Sequence, residues 1–309
     1  MKKIVVLLSS YNGEKYIETQ LDSILKQRVN ALVQIIVRDD GSSDRTRDIL
    51  AHYTEKNKNI TVIFGENKGY IASFFDLIKN APEADYYALS DQDDKWLSNK
   101  LQCAMKAIEK EESRIANLPV LYGSSSFLVH DDMKIYGETQ KQRRCMTIFN
   151  TMIQNIMPGH SQMFNKELLK IINDMNIECN NIYVHDSFIT NIAMIRGKIV
   201  FDNRSHTLYR QGEDNSLGYG IGTINWISER IRRIKKKDSN KYALQMHYIV
   251  DLEKEYLDPI ISKEMNDFFT SQNSIVSRMK YIFKTKLYRQ KLTESILFRI
   301  VYLTGGYKI

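Results

Sequence analysis

The chain has 309 residues, 43% of them hydrophobic and 26% charged, which is a globular composition with enough apolar residues for one large core or for a core with an appendage. Three cysteines, Cys103, Cys145 and Cys179, are odd in number and have no C-x-x-C spacing, which argues against a disulfide framework or a zinc site and fits a reducing cytoplasm. The formal charge of +7 suggests an acidic partner, for which nucleic acid, an anionic membrane surface and a phosphorylated substrate compete.

Met1, Lys2 and Lys3 precede an apolar run over residues 4–8, which ends at Ser9 and Ser10 with no small-residue cleavage site; it reads as a buried strand rather than a secretory leader. No later stretch approaches the roughly 20 apolar residues that span a bilayer. Ile17, Leu21, Ile24 and Leu25 then share one helical face. The alternation continues with a strand over 33–37, a helix carrying Ile49, Leu50 and Tyr53, a strand over 60–64, a helix from about Ile71 and a strand over 86–90. It predicts a mostly parallel sheet with helices on its faces. From Pro119 the pattern is mixed, with strands near Leu121, over 127–129, 161–164 and 198–201, and near Leu208, and a helix after His185 and Asp186. Beyond Gly218-Tyr219-Gly220 the chain reads as helical and basic. Residues 1–220 are expected to form one α/β domain, with halves at 1–118 and 119–220, and 221–309 a helical extension.

Ligands of open parallel sheets bind at the carboxyl ends of the strands, where the polar motifs of this sequence fall. Asp91-Gln92-Asp93-Asp94 places three acids directly after an apolar strand, where a hard cation such as magnesium or manganese would relieve their repulsion. A solvated acidic turn is the plain alternative, but the position after the fourth strand favours the cation. Asp39-Asp40-Gly41-Ser42 has two readings, a helix cap with a glycine turn or a carboxylate that accepts a base N–H. Neither loop carries a P-loop, and the first lacks G-x-G-x-x-G.

The segments 8–14 (Leu-Ser-Ser-Tyr-Asn-Gly-Glu), 39–44 (Asp-Asp-Gly-Ser-Ser-Asp), 67–69 (Asn-Lys-Gly) and 90–96 (Ser-Asp-Gln-Asp-Asp-Lys-Trp) together resemble glycosyltransferase family 2, over roughly the first 215 residues. The last segment is especially similar to bacterial rhamnosyltransferase-like members. The resemblance implies a GT-A fold, a mixed and mostly parallel sheet flanked by helices, and an inverting transfer from a nucleotide-sugar donor. It implies that Ser9, Tyr11 and Glu14 line the nucleoside pocket, that Asp40 reads the base, that Lys68 and Gly69 join the donor site, and that Asp91 faces the ribose or sugar. Asp93 would hold the metal on the diphosphate.

His185-Asp186-Ser187-Phe188 resembles the acidic motif of the family, with Ser187 and Phe188 where an aromatic pair is common; Asp186 is the expected base, or alternatively only an N-cap. The segment 158–164, with Gly159 and His160, resembles the acceptor-side loop, where His160 reads equally as an interior histidine. His185 and Gln211 are grouped with that acceptor side. Tyr209-Arg210-Gln211 resembles a later segment whose arginine approaches the diphosphate, though Gly212 follows where many relatives carry histidine.

The basic run 230–237, with Ile227, Ile231 and Ile234 at helical spacing, is either a solvated face or a contact to an anionic membrane. No nucleic-acid recognition motif accompanies it. The expected partners are a dTDP- or UDP-sugar and a saccharide or lipid-linked saccharide, in bacterial surface-polysaccharide assembly, in the cytoplasm or on the inner face of its membrane. A noncatalytic nucleotide-sugar-binding or membrane-associated module, and a sugar-phosphate nucleotidyltransferase, are the alternatives; the second lacks a basic phosphate-activating loop after the first strand.

Overall fold

The computed structural model describes residues 1–139, 141–211 and 238–309. The basic run at 230–237, the isoleucines beside it, residues 212–215 after Gln211 and the expected boundary near Gly220 lie outside the described residues.

The chain packs as two compact units. One comprises the described parts of residues 1–141, 157–179 and 197–218, the other those of 142–156, 180–196 and 219–309. The second unit therefore draws two segments from before residue 220.

The first unit begins with β1 (Lys2–Ser10), whose residues Ile4, Val5, Val6, Leu7 and Leu8 are fully buried. Burial of each such side chain is worth about 1.5–3 kcal/mol, which is why the run sits at the sheet centre and not at the surface. α1 (Ile17–Leu25) buries Ile17, Leu21 and Ile24, as its spacing predicts. β2 (Ala31–Asp39), α2 (Thr46–Lys56), β3 (Ile60–Phe64), α3 (Tyr70–Lys79) and β4 (Tyr86–Ser90) complete the alternation. β1 lies between β2 and β4, and β3 lies outside β2, all in parallel. The chain thus moves outward from β1 to β3 and returns to the other side of β1 at β4, which makes a topological switch point between β1 and β4. The register sets Ser10 beside Asp39 and Leu8 beside Ser90, so the loops after these strands open at one edge.

β5 (Lys95–Trp96), α4 (Lys100–Glu112), β6 (Val120–Val129), β7 (Ile135–Glu138), β8 (Met163–Asn165), α6 (Lys166–Asp174) and β9 (Lys198–Arg210) continue this unit, α5 belonging to the second. Here the pairing is mixed: β8 runs antiparallel to β4 and β6, β9 parallel to β6, and β5 antiparallel to β9. The described residues thus form a mixed nine-stranded sheet. β6 and β9 are each continuous where the sequence pattern suggests two pieces. Ser124, Ser125 and Ser126 interrupt the apolar pattern of β6 yet are fully buried, and the register against β9 shifts there.

The second unit is helical among its described residues: α5 (Ile148–Thr151), α7 (His185–Arg196), α8 (Asp238–Leu252), α9 (Pro259–Thr270), α10 (Ile275–Lys284) and α11 (Leu292–Leu303). Buried amides join its distant segments. Asn150 Oδ1 accepts from Gln290 Nε2 at 2.6 Å, Gln154 Nε2 donates to Glu294 at 2.8 Å, and Gln245 Oε1 accepts the Tyr183 and Val184 amides at 2.8 Å each. Phe268, Tyr281 and Tyr302 form its aromatic centre, with ring centroids 5.0 to 6.0 Å from Phe268. No helix among the described residues is long and apolar enough to cross a membrane.

Gly41 turns the chain out of β2 at φ +82°, and a Cβ there would stand 2.8 Å from the Asn67 amide nitrogen. Gly69 has φ +81° but open space where its Cβ would lie. Gly41→Ala is expected to cost about 2 kcal/mol and Gly69→Ala about 1 kcal/mol, the backbone strain alone, read as separate drops in melting temperature. Equal melting temperatures would show that the 66–69 segment yields freely.

Candidate active site at the carboxyl edge of the parallel strands

Gln92 ties the loop after β1 to the loop after β4. Its Oε1 accepts from the Tyr11 amide at 2.9 Å and from Ser10 Oγ at 2.8 Å, and its Nε2 donates to the Tyr11 carbonyl at 2.9 Å. A Cβ on Gly13 would meet Gln92 Oε1 at 2.1 Å, so this packing requires glycine at 13. The Tyr11 side chain stands half-exposed at the mouth. Ser9 Oγ pairs with Ser73 Oγ at 2.6 Å, and Glu14 Oε2 accepts from the Arg45 amide at 3.0 Å at the start of α2.

Asp40 is buried and occupied by the protein itself. It pairs with the Arg38 guanidinium, and its two oxygens accept the Lys68 and Gly69 amides at 2.9 Å each. Arg38 also donates to the Glu66 carbonyl at 3.1 Å, so this buried ion pair shapes the 66–69 segment that closes the site on the β2 side. Lys68 Nζ turns outward to Asp76 at 2.8 Å. Its neighbour Asp39 has one oxygen on Arg47 Nε at 2.7 Å, while Oδ1 is buried with no hydrogen-bond partner among the described residues.

Past β4 the three acids diverge in environment. Asp91 and Asp93 are partly exposed, and Asp94 is fully buried. Asp94 Oδ1 accepts the Arg210 amide at 3.1 Å, whereas Oδ2 is buried without a hydrogen-bond partner among the described residues. His160, in a short 3-10 turn at Gly159–Ser161, brings Nδ1 to 3.9 Å from Asp94 Oδ2 and 4.0 Å from Asp91 Oδ2. Its Nε2 meets Ser126 Oγ at 2.9 Å and its ring stacks on Tyr209 at 4.1 Å. Asp91, Asp94 and His160 thus hold ligand atoms within 4.8 Å of one another. Asp93 is not in that group.

Burial governs the protonation of these groups. It raises the Asp93 carboxyl, and raises Asp94 well above the usual range, with Asp93 and Asp91 adding like-charge repulsion. Burial, then Lys100, holds His160 well below its ordinary value, which leaves a neutral imidazole suited to coordination. Lys100 itself is buried on α4 with its ammonium on the His160 carbonyl at 2.7 Å and Thr207 Oγ1 at 2.8 Å. Desolvation pulls it down to about 7 against the pull of Asp94 and Asp91. Oxygen donors, one neutral imidazole and an unsatisfied buried carboxylate oxygen fit a hard or borderline divalent cation.

Arg210 at the end of β9 is a clamp. Nε donates to the Asp93 carbonyl at 2.9 Å, the guanidinium also binds the Asp131 carbonyl, and it lies 4.3 Å over the Tyr16 ring. The arginine is buried in these contacts, and the Gln211 amide continues the strand pairing to the Val129 carbonyl at 3.1 Å.

The model of glycosyl transferase family 2 matches residues 5–172, which carry these strands and loops. The chain belongs to glycosyl transferase family 2. The family-2 chain is 30% identical over 227 residues to the dTDP-rhamnosyl transferase RfbG of Shigella flexneri, covering 69% of this chain and 74% of that protein. It is 38% identical over 100 residues to the putative teichuronic acid biosynthesis glycosyltransferase TuaG of Bacillus subtilis, 32% of this chain and 39% of that one. Among solved structures, S. aureus TarS in complex with UDP-GlcNAc superposes with a TM-score of 0.62 at 18% identity, covering 99% of this chain and 81% of that one. At that identity the likeness concerns the GT-A fold.

The two remaining residues singled out in the sequence lie in the second unit. His185 and Asp186 open α7 and are both buried; burial lowers His185, with Asp186 opposing it. Asp186 Oδ1 accepts the Ser187 amide at 2.7 Å. Lys100 is the residue of this cluster that the sequence does not point to, and Asp94 counts there among the three acids without a role of its own.

A carboxyl held above its unfolded value costs stability once the pH exceeds that unfolded value, so Asp94 weakens the metal-free fold at neutral pH. Asp94→Asn keeps the acceptor for the Arg210 amide and removes the charge. In chelator at pH 7 the variant is expected to melt above wild type, and to lose the rise in melting temperature that manganese gives the wild type. A variant that melts lower would show Asp94 to be a net stabiliser.

Proposed function

We propose that this family-2 enzyme is a metal-dependent inverting transferase that moves a hexosyl or rhamnosyl group from a dTDP- or UDP-sugar to a hydroxyl of a saccharide or lipid-linked saccharide. The single observation that carries the reading is the buried, unpartnered Asp94 oxygen beside His160 and Asp91 at the carboxyl end of β4. The donor base is supported by the relatives, one named for a dTDP-sugar and a fold neighbour solved with UDP-GlcNAc. TuaG, named for teichuronic acid biosynthesis, supports a place in surface-polysaccharide assembly.

Manganese or magnesium would be held by carboxylates of the 91–94 loop, with Asp93 supplied by the motif and Asp91, Asp94 and His160 by proximity, and would neutralise charge gathering on the departing diphosphate. The protein's own residues do the rest. The half-exposed Tyr11 offers a ring face to the base, with Ser9 and Glu14 bordering the nucleoside. Asp40 is assigned to reading the base, and it fixes the Lys68 and Gly69 amides beside it. Arg210 holds the metal loop in place through the Asp93 carbonyl. Gly159, His160 and Gln211 are assigned to the acceptor side, and His185 by its motif alone. Asp186 takes the proton from the acceptor hydroxyl as that oxygen attacks the anomeric carbon from the face opposite the leaving group.

The test is release of nucleoside diphosphate across a panel of dTDP- and UDP-sugars, with and without manganese. One donor is expected to turn over, chelator and Asp93→Ala to abolish it, and Asp186→Asn to lower kcat by on the order of 10²–10⁴. Donor binding without turnover in any condition would make the chain a nucleotide-sugar-binding module, and full activity in Asp186→Asn would remove that residue as the base.

A further inference from the structure

Helices α10 and α11 of the second unit present apolar side chains that no other described residue covers. Their inner faces are satisfied: Tyr281, Phe298, Val301 and Tyr302 are buried in the aromatic centre. Their outer faces carry Ile275, Val276, Met279 and Phe283 on one helix and Leu292, Ile296 and Ile300 on the other, at the three- and four-residue spacing of continuous stripes. Phe283 is 80% and Leu292 72% exposed, values that leave nearly the whole side chain in solvent. The two helices form one rigid piece, because Arg278 of α10 donates to the Leu303 carbonyl of α11 and to the Gln272 carbonyl at 2.9 Å each.

The charge of the chain is concentrated in the same place. Residues 275–309 contain eight Lys and Arg residues against a single acid, Glu294. That excess of seven equals the +7 of the whole chain, so the other residues balance at 36 of each sign (44 less 8, and 37 less 1). Glu294 is buried and bound by Gln154, whereas Lys280, Lys284 and Arg299 are exposed beside the apolar stripes. The outward faces of both helices therefore combine aliphatic and aromatic side chains with cations and offer no exposed carboxylate.

We infer that the α10–α11 face docks on an anionic bilayer surface. A nucleic acid would leave the aliphatic stripes in water. A folded protein partner would require directional complementarity, while these stripes offer only apolar side chains and long cations. A bilayer interface meets both demands, with apolar side chains entering the acyl boundary and lysines extending to the headgroups. Exposed apolar patches rimmed by cations are the surface expected for such binding. The inference rests on this face alone and stands whatever donor or base the transfer reaction uses.

The test is flotation of the intact chain, without metal or donor, on vesicles of phosphatidylcholine alone and of phosphatidylcholine mixed with phosphatidylglycerol. Wild type is expected to float with the mixed vesicles only, and to be released as salt rises. Lys280→Gln, Lys284→Gln and Arg299→Gln should each weaken partitioning about fivefold, on the order of a hundredfold together. Phe283→Ser with Leu292→Ser should abolish flotation at moderate salt, with an unchanged melting temperature as the check on folding. Should that variant melt lower, the salt dependence of wild type still decides. No flotation, equal flotation on the neutral vesicles, or a wild-type dimer that dissociates in the serine variant without vesicle binding would each overturn the inference, the last by giving the face to a second copy.

Discussion

Negative charge in a low-dielectric place is the constraint around which the first unit is arranged. β4 is buried along its whole length, and it delivers Asp91, Asp93 and Asp94 to its carboxyl end within four residues. Three carboxylates cannot all be ionised there without compensation. The protein answers with cations and dipoles drawn from far along the chain: the Lys100 ammonium beneath, the Arg210 amide on Asp94, and the Arg210 guanidinium on the loop backbone. One Asp94 oxygen has no hydrogen-bond partner among the described residues, at the point where the strand loops open.

A similar economy explains the β2 edge. Arg38 and Asp40 are adjacent along a buried strand end, and each would be costly alone. Together they fix the backbone of residues 66–69, so a charge pair that looks like a ligand-reading motif also builds the wall of the cleft. The role seen for this carboxylate is structural, through the Lys68 and Gly69 amides rather than through a helix cap.

Much of the first unit was legible because its physics is local. Strict alternation of apolar runs with helical spacing gave β1 to β4 and their helices, and the acid-rich loops announced where the strands end. The misses are non-local. Lys100 reads as an ordinary lysine at the start of a helix, and only the packing of α4 against β9 and the 159–161 turn makes it an interior cation. Ser124 to Ser126 read as a break in β6 because hydroxyls in a strand look solvent-facing, and their burial depends on β9 and His160. The sequence leaves His160 open between an interior histidine and a site residue, and the fold buries it, stacked on Tyr209 and 4.0 Å from Asp91. Segments 142–156 and 180–196 join the C-terminal helices through buried amides such as Asn150 to Gln290, a pairing that no periodicity records.

The bridge from Gln92 to Tyr11 has a consequence for how this sequence can change over time. Gln92 fills the space a side chain at position 13 would need, and its amide is spent on both the N–H and the carbonyl of Tyr11. The two positions lie nearly eighty residues apart, yet they are coupled: a side chain at 13 would push the Gln92 amide off Tyr11, and a shortened 92 would release the same segment. Related chains are therefore expected to exchange these two positions together.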